Sequence, residues 1–351
     1  MAKKSVKKTQ DYDMRLLKDL INSFCISGDE MDVRNLIINY IKPFCKDYWV
    51  DKMGNLIVHK KGIAPKVMLA AHMDEVGLMI NNIDPKGRIY CAEIGSFEVM
   101  NLLGQRVYIK TRKGYIPGII TINDVSNDIE VGKIPTINDI FVDTGLNYKE
   151  LKEKGVEIGQ YASLGRKFLT LGNEKIISGK SLDDRVGCFI LCELIKRMKN
   201  VKNEIYFVFT VQEEVGLYGA KTSAYEIDPD WAIAVDVTAA DDMSDNPTKY
   251  IGGGPCITIK DAEMLANRCL NDWIRDAAKR KNINLQLEVT DVGSTDALNI
   301  TVSRGGVPAA VVGVAIRNLH TAMSICHKQD IIDTVELLLE LLKSPPKVCL
   351  V

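Results

Sequence analysis

The stretch Ser181-Leu182-Asp183-Asp184-Arg185-Val186-Gly187 is the part of the sequence from which the fold is most readily predicted. It directly precedes an apolar run at residues 188–191. This pattern predicts a loop that leads into a buried helix. Acidic side chains are stabilised at a helix N-terminus by the helix dipole, so both aspartates could simply cap the helix. A role in metal binding would require partners elsewhere in the chain.

Candidate partners occur where predicted buried strands end. Each of the apolar runs 67–71, 204–211, 231–235 and 309–314 predicts a strand, and each is followed by acidic or histidine side chains. Ligands of open α/β sheets bind outside the carboxyl ends of the strands, and buried acidic groups there are costly unless they are paired or bound. The side chains concerned are His72, Asp74, Glu213, Glu214, Asp236 and His320.

The residue types indicate a metal centre. His72, Asp183, Glu214, Asp236 and His320 supply two imidazoles and three carboxylates, a set that suits zinc, cobalt or manganese better than calcium. Five ligands are too many for one catalytic zinc, but they suit two divalent metal ions that share a carboxylate and a water. An additional glutamate, Glu213, is a candidate general base, and Asp74 is placed to orient His72.

The order of predicted elements indicates the fold class. Helices and strands alternate from 13 to 69 and again after about 165, which predicts an α/β catalytic domain with a mixed sheet. Between them lie short β-rich pieces punctuated by Gly and Pro, typical of a small β-barrel or sandwich. We therefore expect a discontinuous catalytic domain, residues 1–75 and 165–351, interrupted by a β-rich domain, residues 76–164.

Composition argues against several other classes of protein. The 351 residues carry a net charge of -1, so nothing indicates binding to nucleic acid or to an anionic membrane. No apolar run approaches the roughly 18 residues of a membrane span. The basic segment 1–8 lacks an apolar core and predicts a solvated tail rather than a secretion signal. Nine cysteines without a C-x-x-C pair indicate reduced, mostly buried thiols and a cytoplasmic location.

The same residues carry a family resemblance. The chain resembles M42 metallo-aminopeptidases of the glutamyl, deblocking and TET type over nearly its whole length. The segments that carry the resemblance are Ala71-His72-Met73-Asp74-Glu75-Val76-Gly77, Leu182-Asp183-Asp184-Arg185, Gln212-Glu213-Glu214-Val215-Gly216, Val235-Asp236 and Arg317-Asn318-Leu319-His320. Their order along the chain is that of the family.

The resemblance implies a role for each of these side chains. His72 and Asp236 would hold one metal ion, Glu214 and His320 the other, and Asp183 would bridge them. Glu213 would be the base, Asp74 would orient His72, and the peptide bond between Asp183 and Asp184 would be cis. The family's fold is an α/β peptidase domain with a PDZ-like or barrel insert used for dimerisation and assembly. Its members commonly form homo-oligomers, tetrahedral dodecamers built from dimers that admit short peptides.

Substrate preference is left open by the sequence. Ser324, Asn318 and Leu298 depart from the residues frequent in the family. Asp296 and Arg317 either line the substrate pocket or form a buried ion pair.

Three functions remain to be distinguished. The first is an aminopeptidase acting on short peptides. The second is a di-metal deacylase or dipeptidase acting on acylamino acids or dipeptides. The third is a catalytically silent, metal-stabilised assembly protein. Glycoside hydrolysis, a label given to some relatives, normally uses two carboxylates without a histidine-rich metal set.

Overall fold

The computed structural model describes residues 12–122, 134–165, 167–199 and 202–346. The basic segment 1–8, predicted to be a solvated tail, lies outside these ranges. Within them, every helix is too short or too polar to pass through a lipid bilayer.

Helices and strands alternate along most of the described chain. The helices are α1 (Met14–Asn22), α2 (Met31–Ile41), α3 (Tyr148–Glu153), α4 (Leu182–Arg197), α5 (Tyr218–Ile227), α6 (Arg268–Lys281), α7 (Asp296–Thr301) and α8 (Lys328–Leu341). The strands are β1 (Tyr48–Val50), β2 (Leu56–Lys60), β3 (Ile63–His72), β4 (Gly77–Ile83), β5 (Ile89–Ile94), β6 (Arg106–Thr111), β7 (Gly114–Ile122), β8 (Ile140–Asp143), β9 (Tyr161–Leu164), β10 (Leu169–Leu171), β11 (Ile176–Gly179), β12 (Asn203–Thr210), β13 (Trp231–Ala239), β14 (Cys256–Lys260), β15 (Gln286–Val289), β16 (Ala309–Arg317) and β17 (Ser324–His327).

An eleven-stranded mixed sheet forms the larger part of the molecule. Its main path runs β1-β2-β12-β3-β13-β16-β17-β11-β10, and β14 pairs with both β16 and β15. The four neighbours β12, β3, β13 and β16 are mutually parallel, whereas β2 and β17 flank them in the antiparallel sense. The predicted mixed α/β fold is confirmed. Because parallel strands end at the same edge, polar groups that follow them are brought together.

Both faces of this sheet are covered by helices. Leu69 of β3 packs in a cluster with Leu17 of α1 and Phe189 of α4, whereas its neighbour Ala70 packs with Ala224 of α5. Successive side chains of a strand point to opposite faces, so a continuous apolar run is what a doubly covered strand requires.

A closed barrel is formed by the strands between Gly77 and Leu164, in the order β4-β5-β8-β7-β6-β9. It has a hydrophobic core of its own, which includes Leu78, Val107 and Ala162. The barrel predicted from the Gly- and Pro-punctuated segment is therefore confirmed.

One predicted strand end is wrong. The sequence predicts that β13 stops at Val235 and that Asp236 follows it, but β13 continues to Ala239. The reason is pairing with β16, which persists through Ala239 and Ile316 and keeps the polar Thr238 within the ladder. Asp236 therefore projects from the side of a strand.

The cysteines differ from the prediction at one position. Cys269 is disulfide-bonded, whereas the sequence predicts reduced thiols. The other described cysteines are free, and all of them except Cys45 are buried. Spacing along the chain does not show which cysteines meet in space, so a bridge outside a C-x-x-C pattern leaves no local signal.

Candidate active site

The candidate metal ligands converge at the carboxyl edge of the central parallel strands. His72 is the last residue of β3, Glu214 follows β12, and Asp236 projects from β13. Since these strands are neighbours in the sheet, their side chains share one edge. His320 comes from the connection between β16 and β17, and Asp183 from the start of α4.

The two aspartates at the start of α4 have different roles. Neither has helical dihedral angles, and the peptide bond between them is cis. One carboxylate oxygen of Asp184 accepts a hydrogen bond from the backbone N–H of Gly187 at 2.8 Å, which caps the helix. The carboxylate of Asp183 instead turns to the cluster. Helix capping therefore accounts for Asp184, whereas Asp183 is positioned to take part in the candidate metal site.

Asp183 lies between the two histidines. Its Oδ1 is 2.9 Å from Nε2 of His72, and its Oδ2 is 3.3 Å from Nε2 of His320. Asp236 Oδ1 lies 3.9 Å from the same nitrogen of His72, and Glu214 Oε2 lies 3.5 Å from that of His320. Two three-residue groups therefore share one carboxylate.

The donor atoms fit metal ions in number and in kind. In each of these two groups the possible ligand atoms lie within 4.8 Å of one another, and a third such group combines His72, Glu213 and Glu214. Glu214 Oε1 is buried without a hydrogen-bond partner among the described residues. A buried carboxylate oxygen without a donor is costly unless a cation satisfies it.

The backbone of Asp74 fixes the tautomer of His72. Nδ1 of His72 lies 3.0 Å from the carbonyl oxygen of Asp74, which can only accept, so Nδ1 carries the hydrogen and Nε2 is free to ligate. The Asp74 carboxylate lies 3.6 Å from Nδ1, outside hydrogen-bond range. It accepts instead from Ser27 Oγ at 2.6 Å and from the backbone N–H groups of Glu213 and Glu214 at 3.1 and 3.3 Å. The sequence predicts that Asp74 orients His72. In the structure, the group of Asp74 that contacts the imidazole is its backbone carbonyl and not its carboxylate.

The crowding of charges shifts several pKa values in the metal-free protein. Burial raises the pKa of Glu214 to about 8 and that of Asp236 to about 7, and the nearby Asp183 carboxylate adds to both shifts. Burial also raises the pKa of Glu213 well above its usual range. For His320, burial lowers the pKa, but the hydrogen bond to Asp183 and the charge of Glu214 outweigh it and raise the pKa to about 9. Such shifts are typical of catalytic and metal sites.

A cavity of about 1200 Å³ opens beside the cluster. Glu213, which is 9% exposed, lines it together with the candidate metal ligands. A cleft of this size with a few convergent polar groups is typical of a small-molecule or peptide site. Its walls also include Thr238, Lys249, Thr258, Asp261, Glu263 and Glu288.

Comparison with known proteins decides the family. A family model described as M42 glutamyl aminopeptidase matches residues 54–337. The chain belongs to the M42 peptidase family. Similar M42 proteins include a putative aminopeptidase of Acetivibrio thermocellus, which is 37% identical over 93% of this chain and 97% of its own.

Two solved structures extend the likeness to the fold. A TET aminopeptidase from a marine sediment Thaumarchaeota archaeon is 34% identical, with a TM-score of 0.91 over 94% of this chain and 96% of its own. The TET1 peptidase of Pyrococcus horikoshii, which can assemble into a tetrahedron or a large octahedral shell, is 32% identical, with a TM-score of 0.85 over 93% and 98%. M42 peptidases are metal-dependent, and this M42 chain is an aminopeptidase, a hydrolase of peptide bonds.

Two side chains of this M42 chain that were predicted either to bind substrate or to pair with each other contact other residues instead. Arg317 forms two hydrogen bonds of 2.7 Å to Asp242, and Asp296 accepts from Thr210 Oγ1 at 2.5 Å. The structure therefore contradicts an ion pair between Asp296 and Arg317. Neither residue is among those that line the large cavity.

Several polar side chains of the cavity wall were not predicted from the sequence. Glu288 of β15 is 8% exposed, whereas its neighbours Leu287 and Val289 are 49% and 70% exposed. The alternation of polar and apolar residues in β15 is visible in the sequence. Apolar side chains are expected to face inward, but in β15 the polar side chains are the buried ones. A strand beside a predicted site whose polar residues face inward and whose apolar residues face outward is the signal from which Glu288 could have been predicted.

Proposed function

We propose that this M42 aminopeptidase works with two divalent metal ions and removes N-terminal residues from short peptides. The observation that carries the proposal is the position of Asp183, whose two carboxylate oxygens each face a different histidine. A shared carboxylate between two histidine-containing groups is the arrangement expected of two adjacent metal ions.

The residues divide between the two ions as the contacts suggest. His72 and Asp236 would hold one ion, Glu214 and His320 the other, and Asp183 would contact both. Mixed nitrogen and oxygen ligands suit zinc, cobalt or manganese. When bound, the ions would polarise the scissile carbonyl and make a water more acidic.

Glu213 is the proton carrier in this proposal. It lines the cavity beside the cluster but belongs to neither of the two groups that share Asp183. Its carboxylate would take a proton from the attacking water and pass it to the leaving amine. A raised pKa, caused by burial, brings a carboxyl closer to the operating pH, which is what a group that both accepts and returns a proton requires.

The alternatives make different use of the same cavity. A silent assembly protein would need a closed metal site, yet the cluster faces an open cavity that also contains Glu213. A deacylase or dipeptidase would keep the metals but would not require both a free α-amine and an extended peptide chain. Acceptance of free-amine substrates alone therefore separates it from an aminopeptidase.

We further propose how the molecule is divided and assembled. Residues 76–164 would be an inserted domain for dimerisation and assembly, and residues 1–75 and 165–351 would be the catalytic domain. The hydrophobic core of the barrel supports this division, because Ala322 is the one residue from outside 76–164 among its described members. By likeness to the TET1 peptidase, the chain would form a homo-oligomer, such as a tetrahedral dodecamer built from dimers.

Hydrolysis of aminoacyl-p-nitroanilides and of N-acetylated controls tests the proposal. The protein is stripped of metal, and zinc, cobalt or manganese is added back to wild type and to Glu213→Gln. We expect metal-dependent cleavage of the free-amine substrates only, with kcat reduced roughly 10²- to 10⁴-fold in Glu213→Gln. Metal analysis of both proteins should find two ions per chain. Two bound ions with no cleavage by wild type in any metal would reject the aminopeptidase mechanism.

A further inference from the structure

A buried ion pair lies beside the candidate metal cluster, where the barrel meets the main sheet. The ammonium group of Lys180 contacts both carboxylate oxygens of Glu75, and its distance from Oε2 is 2.7 Å. The two residues are 5% and 3% exposed. Because a buried ion pair can often be replaced by apolar side chains without loss of stability, stability alone does not account for its presence.

The pair joins two segments that carry candidate metal ligands. Glu75 follows His72 by three residues, and Lys180 precedes Asp183 by three. Between Lys180 and Asp183 lies Ser181, whose φ of 50° is in the left-handed region that residues with a Cβ seldom occupy. A backbone strained in this way persists only where its surroundings hold it.

The chain that follows α1 is bonded to the same pair. Lys180 donates to the carbonyl oxygen of Ser23 at 3.1 Å, and the backbone N–H of Cys25 donates to Glu75 Oε1 at 3.2 Å. The pair therefore holds three separate parts of the chain together.

A serine of the barrel connects the barrel to this pair. The hydroxyl of Ser163 accepts from Lys180 Nζ at 3.1 Å and donates to Glu75 Oε1 at 3.3 Å. Ser163 belongs to β9, which pairs with β6 inside the barrel. With this contact every hydrogen of the ammonium group has an acceptor, and a buried network that is fully satisfied is rigid.

A small cavity separates the pair from the candidate ligands. Its volume is about 20 Å³, enough for about one water molecule, and its walls include Glu75, Lys180, Asp183, Glu214 and His320. The hydrogen bonds of the pair go to other groups than these ligands. The pair therefore acts on Asp183 through the backbone at 181–182.

We propose that Lys180 and Glu75 are positioning residues, which hold the segment carrying Asp183 against the segment carrying His72, and that Ser163 makes the barrel part of this support. The inference rests on the proposed two-metal function and concerns the same site. With the pair in place, the oxygens of Asp183 stay between the two histidines. Without it, the strained backbone at Ser181 relaxes, and the spacing of the ligand atoms is lost.

A purely structural role would give a different result. If the pair only stabilised the fold, its removal would lower the free energy of unfolding, but the folded protein would bind metal as before. A positioning role requires weaker metal binding by the folded protein, because ligands that are no longer held in place bind less tightly. Metal affinity therefore separates the two roles.

The test titrates the metal-free protein with cobalt ions and then measures kcat and KM for the best p-nitroanilide substrate of the wild type. The variant is Lys180→Met/Glu75→Gln, which removes both charges together and leaves no unpaired buried charge. Its matched control is Glu193→Gln/Arg197→Met. That substitution removes a 2.8 Å ion pair with a fully buried carboxylate, which lies toward the other end of α4 and lines neither cavity.

We expect the cobalt Kd of the variant to rise roughly 10- to 100-fold, with kcat reduced and KM little changed. The control should bind cobalt within about twofold of wild type, even where its free energy of unfolding falls. A folded variant with the cobalt affinity of wild type would overturn the inference, as would an equal loss of affinity in the control.

A milder substitution decides the matter if the double variant does not fold. Ser163→Ala removes one hydroxyl and keeps the ion pair, and we expect its cobalt Kd to rise about 2- to 10-fold, the equivalent of one hydrogen bond. Ser223→Ala, at a buried serine of α5 that donates to the Gly219 carbonyl, is its control. Wild-type affinity in Ser163→Ala would contradict the inference. Wild type that binds two ions but cleaves no substrate would reject the proposed function alone, because the titrations still test the positioning role.

Discussion

A single buried carboxylate, that of Asp74, holds the backbone of the two glutamates on which the proposed chemistry depends. This carboxylate accepts hydrogen bonds from the backbone N–H groups of Glu213 and Glu214. The backbone carbonyl of the same residue fixes the tautomer of His72. Burial raises the pKa of Asp74, but the neighbouring His72 imidazole, the Ser27 hydroxyl and the backbone N–H of Glu213 outweigh burial and lower that pKa. The residue therefore couples the ends of β3 and β12.

Replacing Asp74 by asparagine tests this coupling. The amide can place only one acceptor oxygen where the carboxylate places two, so the turn that carries Glu213 and Glu214 should loosen. We expect kcat to fall roughly 10- to 100-fold with metal affinity reduced, measured by steady-state kinetics and metal titration. Asp84→Asn is the control, because Asp84 also accepts backbone N–H groups but lies in a turn of the barrel. Equal effects of the two substitutions would contradict the assignment.

His320 shows a second feature at this scale. Its φ is 55°, in the left-handed region that residues with a Cβ seldom occupy. Hydrogen bonds to the Asn318 carbonyl from Thr321 Oγ1 and Ser324 Oγ, at 2.8 and 2.9 Å, close the loop around it. Ser324, one of the positions predicted to depart from the family pattern, thus supports the loop of a candidate ligand.

Among the elements, the start of α4 is the most tightly constrained. Arg185 is fully buried, and its guanidinium donates to the carbonyl oxygens of Met73 and Cys25. A Cβ on Gly187 would overlap the Asp184 carboxylate and come within 2.5 Å of the carbonyl oxygen of Val235. The helix therefore packs directly on β13, and the position of Asp183 follows from that packing.

Gly187→Ala should disturb both stability and metal binding. The added methyl group must push α4 from β13 or displace Asp184, and we expect a loss of about 1–3 kcal/mol in the free energy of unfolding. Denaturant unfolding and metal analysis would measure the two effects. Gly305→Ala is the control, because no atom lies within 4 Å of a Cβ there, and its effect should stay within about 0.5 kcal/mol. A stable Gly187→Ala protein with full metal content would refute the packing argument.

At this scale the sequence predicts some features and not others. The doubly covered strands, the barrel and the convergence of five candidate ligands follow from periodicity and from the strand ends. The inward face of β15 does not, because a period of two shows alternation without showing which set is buried. Partnerships such as Arg317 with Asp242 join residues 75 positions apart and depend on the packed fold.

Across the whole molecule, the metal-free cluster should make stability depend on pH. The raised pKa values of Glu214, about 8, and Asp236, about 7, lie above the roughly 4 of carboxyls in an unfolded chain. The folded protein therefore keeps protons that the unfolded chain releases between about pH 4 and 8. Its free energy of unfolding must fall as pH rises through this window. His320 contributes in the same direction at higher pH, between about 6.5 and about 9.

Metal ions should remove this dependence, because they take the place of the protons. We expect the difference in Tm between cobalt-loaded and chelator-treated protein to grow from pH 5 to pH 8. At a free ion concentration of 100 times Kd, a single site adds about 2.7 kcal/mol. Calorimetry across the pH series provides the measurement, and calcium, which prefers oxygen ligands alone, should stabilise less. A difference that shrinks with pH would show that the cluster is not where the cations bind.

The sheet order also affects when activity can arise. β11, the strand before Asp183, pairs with β10 and β17, and β17 comes only after His320 in the chain. The ribosome releases the chain starting from its N-terminus, so the strand that leads to Asp183 has no partner in the main sheet other than β10 until residues 324–327 emerge. The candidate metal cluster can therefore assemble only late in translation, because both His320 and the strand that holds β11 in the sheet lie near the end of the chain.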